Sequence, residues 1–212
     1  MEDYTAEALH NSVHRSLKQL RTEYIDLLLL HDWPAEAALQ ELIAEAIQTL
    51  ITKGTIRSAG VATSPDHAFQ ACTGRPAIFP VAQSENSLLR PAEQVIQRLP
   101  THFVLTHRAL SETNRATLQA LASRPSLCAL WTTELGLDPL EKGTLATLLI
   151  HNALASNPNG TVLFSSTNAL HVKAIAKSLD SSVISSDLRH RLESLFSDVR
   201  SSILALSTNQ GQ

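Results

Sequence analysis

Short aliphatic runs alternate along the chain with segments in which apolar residues recur every three to four positions. Thr5 is a capping residue ahead of Leu9, Val13, Leu17 and Leu20, a spacing that winds one apolar face along an α-helix. Residues 24–31 then read Tyr-Ile-Asp-Leu-Leu-Leu-Leu-His, a strand-length run of the kind that a parallel sheet buries on both faces. A second helix is expected over Glu36–Lys53, with Leu39, Leu42, Ile43, Ala46, Ile47 and Leu50 on one face and Gly54 as its stop. The alternation continues with a strand Thr55–Ala62 and with Ser64-Pro65 as N-cap and first helical residue. A strand Ala77–Gln83, a helix Ala92–Leu99 and a strand Phe103–Thr106 follow. Helices at Asn114–Ser123 and Glu141–Ala155 precede a last strand, Thr161–Ser165, and helices Leu170–Leu179 and Asp187–Leu206 come after it.

Alternation of this kind implies an α/β fold, with parallel strands joined by right-handed helical crossovers. No linker or composition break interrupts it, so a single domain over residues 1–212 is expected. No Gly-x-Gly-x-x-Gly follows any of the strands. That removes the usual dinucleotide signature of an open doubly wound sheet and favours a (β/α) barrel.

The chain has 212 residues, 43% of them hydrophobic and 17% charged, which excludes a disordered polymer. Aromatics are only 4%, so the core is aliphatic. A net charge of -3 gives no basic footprint for nucleic acid or an anionic membrane. The acidic start Met1-Glu2-Asp3-Tyr4 has no apolar signal region, and no apolar stretch reaches the roughly 20 residues of a spanning helix, so a cytoplasmic protein is expected. Cys72 and Cys128 match no metal spacing and read as reduced, buried thiols. His10 and His14 share a helix face, but no third ligand accompanies them, and no metal site is expected.

In parallel α/β folds ligands gather at the carboxyl ends of the strands. Here those ends carry His31-Asp32-Trp33-Pro34, Ala62-Thr63-Ser64, Gln83-Ser84-Glu85-Asn86, Thr106-His107-Arg108 and Ser165-Ser166-Thr167-Asn168, all polar. From spacing alone they fit a site for a polar ligand, and they also fit ordinary polar turns. His31 likewise fits a residue that closes an apolar strand and bonds a backbone carbonyl.

The run from Ser16 to His31, with Asp32-Trp33-Pro34 after it, resembles the aldo-keto reductases, NAD(P)H-dependent (β/α)8 barrels. So do Lys53-Gly-Thr-Ile-Arg-Ser-Ala-Gly-Val61, Val81-Ala-Gln-Ser-Glu-Asn-Ser-Leu-Leu-Arg90 and Val162-Leu-Phe-Ser-Ser-Thr-Asn168, in family order. The resemblance places Met1 in the helix after the family's third strand. It therefore implies an incomplete barrel, strands four to eight with their helices. It further implies that His31 orients a substrate carbonyl by donating a hydrogen bond, and that Trp33 lines the substrate pocket. Thr63, Gln83, His107, Ser165, Ser166, Thr167, Asn168 and His171 would surround the cofactor, NADP or NAD. Three departures predict weak binding: Ala62-Thr63 stands for the family's Ser-Asn pair, His107 for its stacking Tyr, and hydroxyls for its phosphate-binding Lys and Arg.

The family's general acid is a Tyr tuned by a Lys and an Asp on its second and third strands. Of the two tyrosines here, Tyr4 and Tyr24, neither matches it. An aldo-keto-reductase-like oxidoreductase of an aldehyde, ketone or sugar carbonyl, inactive by itself, is the leading expectation. A non-catalytic remnant that binds or assembles is the second. With strands one to three missing, Tyr24–His31 and Thr161–Ser165 would become apolar edges. Such edges recruit a second copy or a complementing N-terminal segment.

Overall fold

The computed structural model of the chain describes residues 5–32, 37–99, 103–180 and 184–208. Thr5 caps α1 (Ala6–Leu20) as expected, its Oγ1 accepting the Ala8 N–H at 3.1 Å. Leu9 and Val13 are the buried part of the stripe, whereas Leu20 is exposed. Contacts gather into two compact units, residues 1–84 with 94–105 and residues 85–93 with 106–212.

The first unit alternates β1 (Ile25–His31), α2 (Ala37–Thr52), β2 (Ile56–Ala62), α3 (Pro65–Gly74) and most of β3 (Val81–Glu85), which starts and ends later than the expected Ala77–Gln83. β1 pairs with β2 and β2 with β3, both in parallel. The Phe103 N–H at the start of β4 (Phe103–His107) donates to Pro80 O at 3.0 Å. β2 is central, and Ile56, Ala59 and Val61 are fully buried. β1 departs from the expected double-faced burial: Leu27–Leu30 are only half-buried, because among the described residues β1 pairs on one side alone. α2 packs Ile43, Ala44, Ile47 and Leu50 inward, leaving Leu42, expected on that face, exposed. Gly54 follows the helix at φ 69°, the left-handed conformation its missing Cβ makes cheap. At Gly60 the absent side chain matters sterically, since a Cβ would lie 2.4 Å from Val81 O.

In the second unit Leu163 N–H, beside β5, donates to Thr106 O at 2.7 Å. β5 (Thr161–Val162) is shorter than the expected Thr161–Ser165, and residues 165–174 are exposed. Around it lie α5 (Ser111–Ala122), α6 (Pro125–Leu135), α7 (Thr144–Ser156), α8 (Ala169–Ser178) and α9 (Ser186–Thr208). The core includes Trp131, Leu149, Leu192 and Phe196, with the Trp131 and Phe196 rings edge to face at 5.1 Å. α6 was not expected, although Pro125 opens it and Gly136 closes it at φ 67°. It carries Cys128, which is half-buried, whereas Cys72 on α3 is buried as expected. α4 (Glu93–Gln97) is the short helix of the expected Ala92–Leu99 segment. Among the described residues no helix is long and apolar enough to cross a membrane.

Candidate functional site

In the first unit, parallel register aligns His31 of β1 with Ala62 of β2, and Ala62 with Gln83 of β3. The ladder runs one residue further at each step: Asp32 N–H donates to Ala62 O at 2.9 Å, and Thr63 N–H to Gln83 O at 3.0 Å. His31, Thr63 and Gln83 thus come together at the carboxyl edge of three neighbouring strands, spaced about 4.8 Å apart. Thr63 and Gln83 are half-buried. The His31 side chain is 79% exposed, and its Nδ1 lies 3.2 Å from the Asp32 carboxylate. Asp32 takes φ 59°, a left-handed turn that a short acidic side chain tolerates. Trp33 lies outside the described residues. Tyr24 precedes β1, at the opposite end of the strand from His31, where the Arg57 guanidinium sits 3.8 Å over its ring.

In the second unit β4 repeats the device. It ends on His107, half-buried, and Arg108 follows at φ 62°, a conformation more costly for a long side chain. His107 O accepts the Asn86 N–H at 3.1 Å. Beside it Glu85 receives Arg108 at 3.4 Å and Arg90 at 3.8 Å, and Arg90 reaches Glu112 at 3.2 Å.

The segment after β5 borders a cavity of about 620 Å³. Ser165, Ser166, Asn168 and His171, all exposed, line it, while Thr167, expected with them, is not part of the wall. Two of these side chains also serve the turn: Ser166 Oγ accepts the Asn168 N–H at 3.1 Å, and Asn168 Oδ1 accepts the Leu170 N–H at 2.9 Å, capping α8. Leu118, Leu145, Phe164 and Ile175 supply apolar wall. The volume and the mixture of apolar wall with a few polar groups suit a small-molecule site.

Three further residues of the wall went unnoticed in the sequence: Asn114 on α5, and Glu141 and Lys142 in the turn before α7. Asn114 Oδ1 is buried with no hydrogen-bond partner among the described residues. Lys142 stands beside Gly143, whose φ of 90° starts α7, and Asp138-Pro139 together with this Gly are local signals that could have marked the turn.

Residues 1–100 match the model of the Aldo/keto reductase family. An aryl-alcohol dehydrogenase of Pestalotiopsis microspora is 35% identical over 60 residues, covering 28% of this chain and 15% of that protein. The aldo-keto reductase ausK of Emericella nidulans is 32% identical over 103 residues, covering 45% of this chain and 25% of that protein. The matched segments thus span a quarter or less of these curated relatives. In fold, the chain is similar to the holo form of an aldo-keto reductase from Bacillus halodurans, with a TM-score of 0.68 at 21% identity over 92% of this chain and 68% of that one. A thermostable aldo-keto reductase in complex with the inhibitor epalrestat gives a TM-score of 0.66 at 19% identity, over 91% of this chain and 67% of that one.

Proposed function

We propose that this aldo-keto-reductase-like chain is an NAD(P)H-dependent oxidoreductase fold acting on an aldehyde, ketone or sugar carbonyl. The observation that carries the reading is the registered row His31, Ala62-Thr63 and Gln83 at adjacent strand ends, in the family's order. The donor set fits the nicotinamide cofactor. The Gln83 amide and Thr63 hydroxyl, both half-buried at the strand ends, match a carboxamide that both donates and accepts. Ser165, Ser166 and His171 at the cavity suit the adenosine phosphates. When bound, such a cofactor supplies a hydride.

The chain's own contribution at the carbonyl is His31. Its ring stands at the carboxyl end of β1, with Nδ1 3.2 Å from the Asp32 carboxylate, and the proposed role is to donate a ring N–H to the substrate carbonyl oxygen. That ring stabilises negative charge developing on the carbonyl oxygen. The resemblance supplies no general acid among these residues, and general acid catalysis contributes about 10²–10⁴-fold. The 212-residue polypeptide by itself is therefore proposed to bind NADPH weakly and to turn over at background. Association of copies, or with a complementing segment, along the one-sided strand β1 belongs to the same reading.

Titration of NADPH fluorescence is expected to show binding weaker than micromolar. Sub-micromolar binding, or aldehyde-dependent NADPH oxidation that disappears in His31→Ala, would overturn the weak-binding or the inactivity part respectively. No NADPH binding at millimolar protein would overturn the oxidoreductase reading itself.

A further inference from the structure

A smaller cavity of about 200 Å³ lies within the second unit and shares no wall residue with the one beside β5. Hydrogen bonds tie its three walls to one another. Asn86 Nδ2 donates to Ser156 Oγ of α7 at 3.0 Å, and Arg200 Nε of α9 donates to Leu88 O at 3.2 Å. Arg189 of α9 joins all three, reaching Ala155 O at 3.4 Å and both Glu93 and Glu193 at 2.8 Å. The segment 86–93 and one face each of α7 and α9 therefore border the same space. Two polar groups of this wall are left over. Asn152 is only 6% exposed, and its Oδ1 is buried with no hydrogen-bond partner among the described residues. It stands one turn before Ser156 on the same face of α7. Half-buried Arg200 commits Nε to Leu88 and forms no ion pair among the described residues, so its terminal amino groups are open to a ligand.

Both signs of charge line the space, Arg200 on one side of the balance and Glu93 and Glu193 on the other. Glu193 and Arg200 are seven residues apart on α9, which sets them on one helix face about 10.5 Å from each other along the axis. A lone anion gains Arg200 but meets two carboxylates, and a lone cation meets the converse. A molecule with both charges satisfies both ends, and its ammonium carries the donors that Asn152 Oδ1 lacks. Arg189, bonded to both Ala155 O and Glu193, holds that carboxylate beside the last turns of α7, where Asn152 lies. The volume equals about seven waters at about 30 Å³ each, which limits the occupant to a small molecule. We propose that this cavity binds a small zwitterionic amino acid whose charges are separated by a short chain. Its carboxylate sits on the Arg200 fork and its ammonium on Asn152 Oδ1 and Glu193. The ligand takes no part in the carbonyl chemistry, and the site stands whether or not the chain binds NADPH.

The test is an NMR titration of the intact chain with 4-aminobutanoate, and with butanoate and butylamine as its one-charge controls. The zwitterion is expected to shift the side-chain signals of Asn152 and Arg200 and to saturate with a dissociation constant of about 1–10 mM. Each control is expected to bind at least about fivefold more weakly. Arg200→Met should weaken the zwitterion about tenfold and Arg200→Lys about threefold, because an ammonium keeps the charge and loses the fork. Asn152→Leu should weaken it about three- to tenfold while the urea midpoint stays or rises, since the variant removes a buried acceptor that lacks a donor. Arg200→Met also cuts the tie to Leu88, so Asn152→Leu decides the matter if that variant fails to fold. Controls that bind within about twofold of the zwitterion, or an unchanged affinity in Asn152→Leu, overturn the proposal. So does the absence of any shift at about 100 mM, which leaves a cavity that holds ordered water only.

Discussion

Replacing Gly60 with Ala tests the geometry on which the row His31, Thr63 and Gln83 depends. Gly60 pairs with Val81, two residues before the Ala62–Gln83 pair. A Cβ built on it would stand 2.4 Å from Val81 O and 2.9 Å from both Leu29 Cδ2 and Val81 Cβ. Non-bonded carbon prefers separations of about 3.5–4 Å, so β2 and β3 must part by roughly 1 Å. The leucine methyl can swing aside, but the carbonyl belongs to the ladder and cannot. Overpacking of this sort costs about 1–3 kcal/mol, and a weakened ladder hydrogen bond adds about 1 kcal/mol, giving roughly 2–4 kcal/mol in all. Two other glycines calibrate the figure. Gly54 meets nothing within 4 Å but holds φ at +69°, so Gly54→Ala pays only backbone strain of about 1–2 kcal/mol. Gly74, at the end of α3, is open and has no positive φ, so Gly74→Ala is neutral or stabilising by up to about 1 kcal/mol. Urea unfolding followed by circular dichroism should rank the midpoints Gly74→Ala, Gly54→Ala, Gly60→Ala from highest to lowest. Amide exchange should place the loosening of Gly60→Ala at β2 and β3. A Gly60→Ala midpoint at or above that of Gly54→Ala would refute the steric argument.

Burial pushes the Cys72 thiol up to about 11. The unfolded thiol ionises near its ordinary value of about 8.5, so between these limits the unfolded state binds fewer protons and stability falls as pH rises. Cys72→Ala should flatten that alkaline decline in unfolding midpoints, and a disulfide reagent at neutral pH should modify half-buried Cys128 before Cys72. Arg189 joins Glu93 and Glu193, each at 2.8 Å, with all three side chains about a third exposed or less. Arg189→Met leaves the two carboxylates facing each other and should cost about 1.5–3 kcal/mol by urea unfolding, with Glu93→Gln in the same background recovering part of the loss. Light scattering after size exclusion at low micromolar concentration should give a mass above 23.0 kDa, because β1 offers Leu27–Leu30 half-buried along an edge with no strand partner among the described residues; a clean monomer would count against association.

What the sequence made legible follows from what periodicity encodes. The five strands and most helices emerged because each is short, apolar and punctuated, and the row at His31, Thr63 and Gln83 emerged because strand ends are local features. The burial of β1 did not: a continuous apolar run states that a strand can be covered on both faces, and its partners, which decide whether it is, lie elsewhere in the chain. α6 escaped for a related reason. Its inward residues Leu127, Cys128, Trp131 and Leu135 are mixed with Leu130, half exposed, so the stripe is blurred and only Pro125 and Gly136 mark its ends. The cavity shows the limit most plainly. Ser165 and His171 were found because they follow a strand, whereas Asn114 and Lys142 come from the start of α5 and the turn before α7. Helical spacing can say which face a residue occupies. It cannot say that two faces and two turns, spread from Asn114 to His171, close on the same space, and the charge in that space comes from the stretch with no motif.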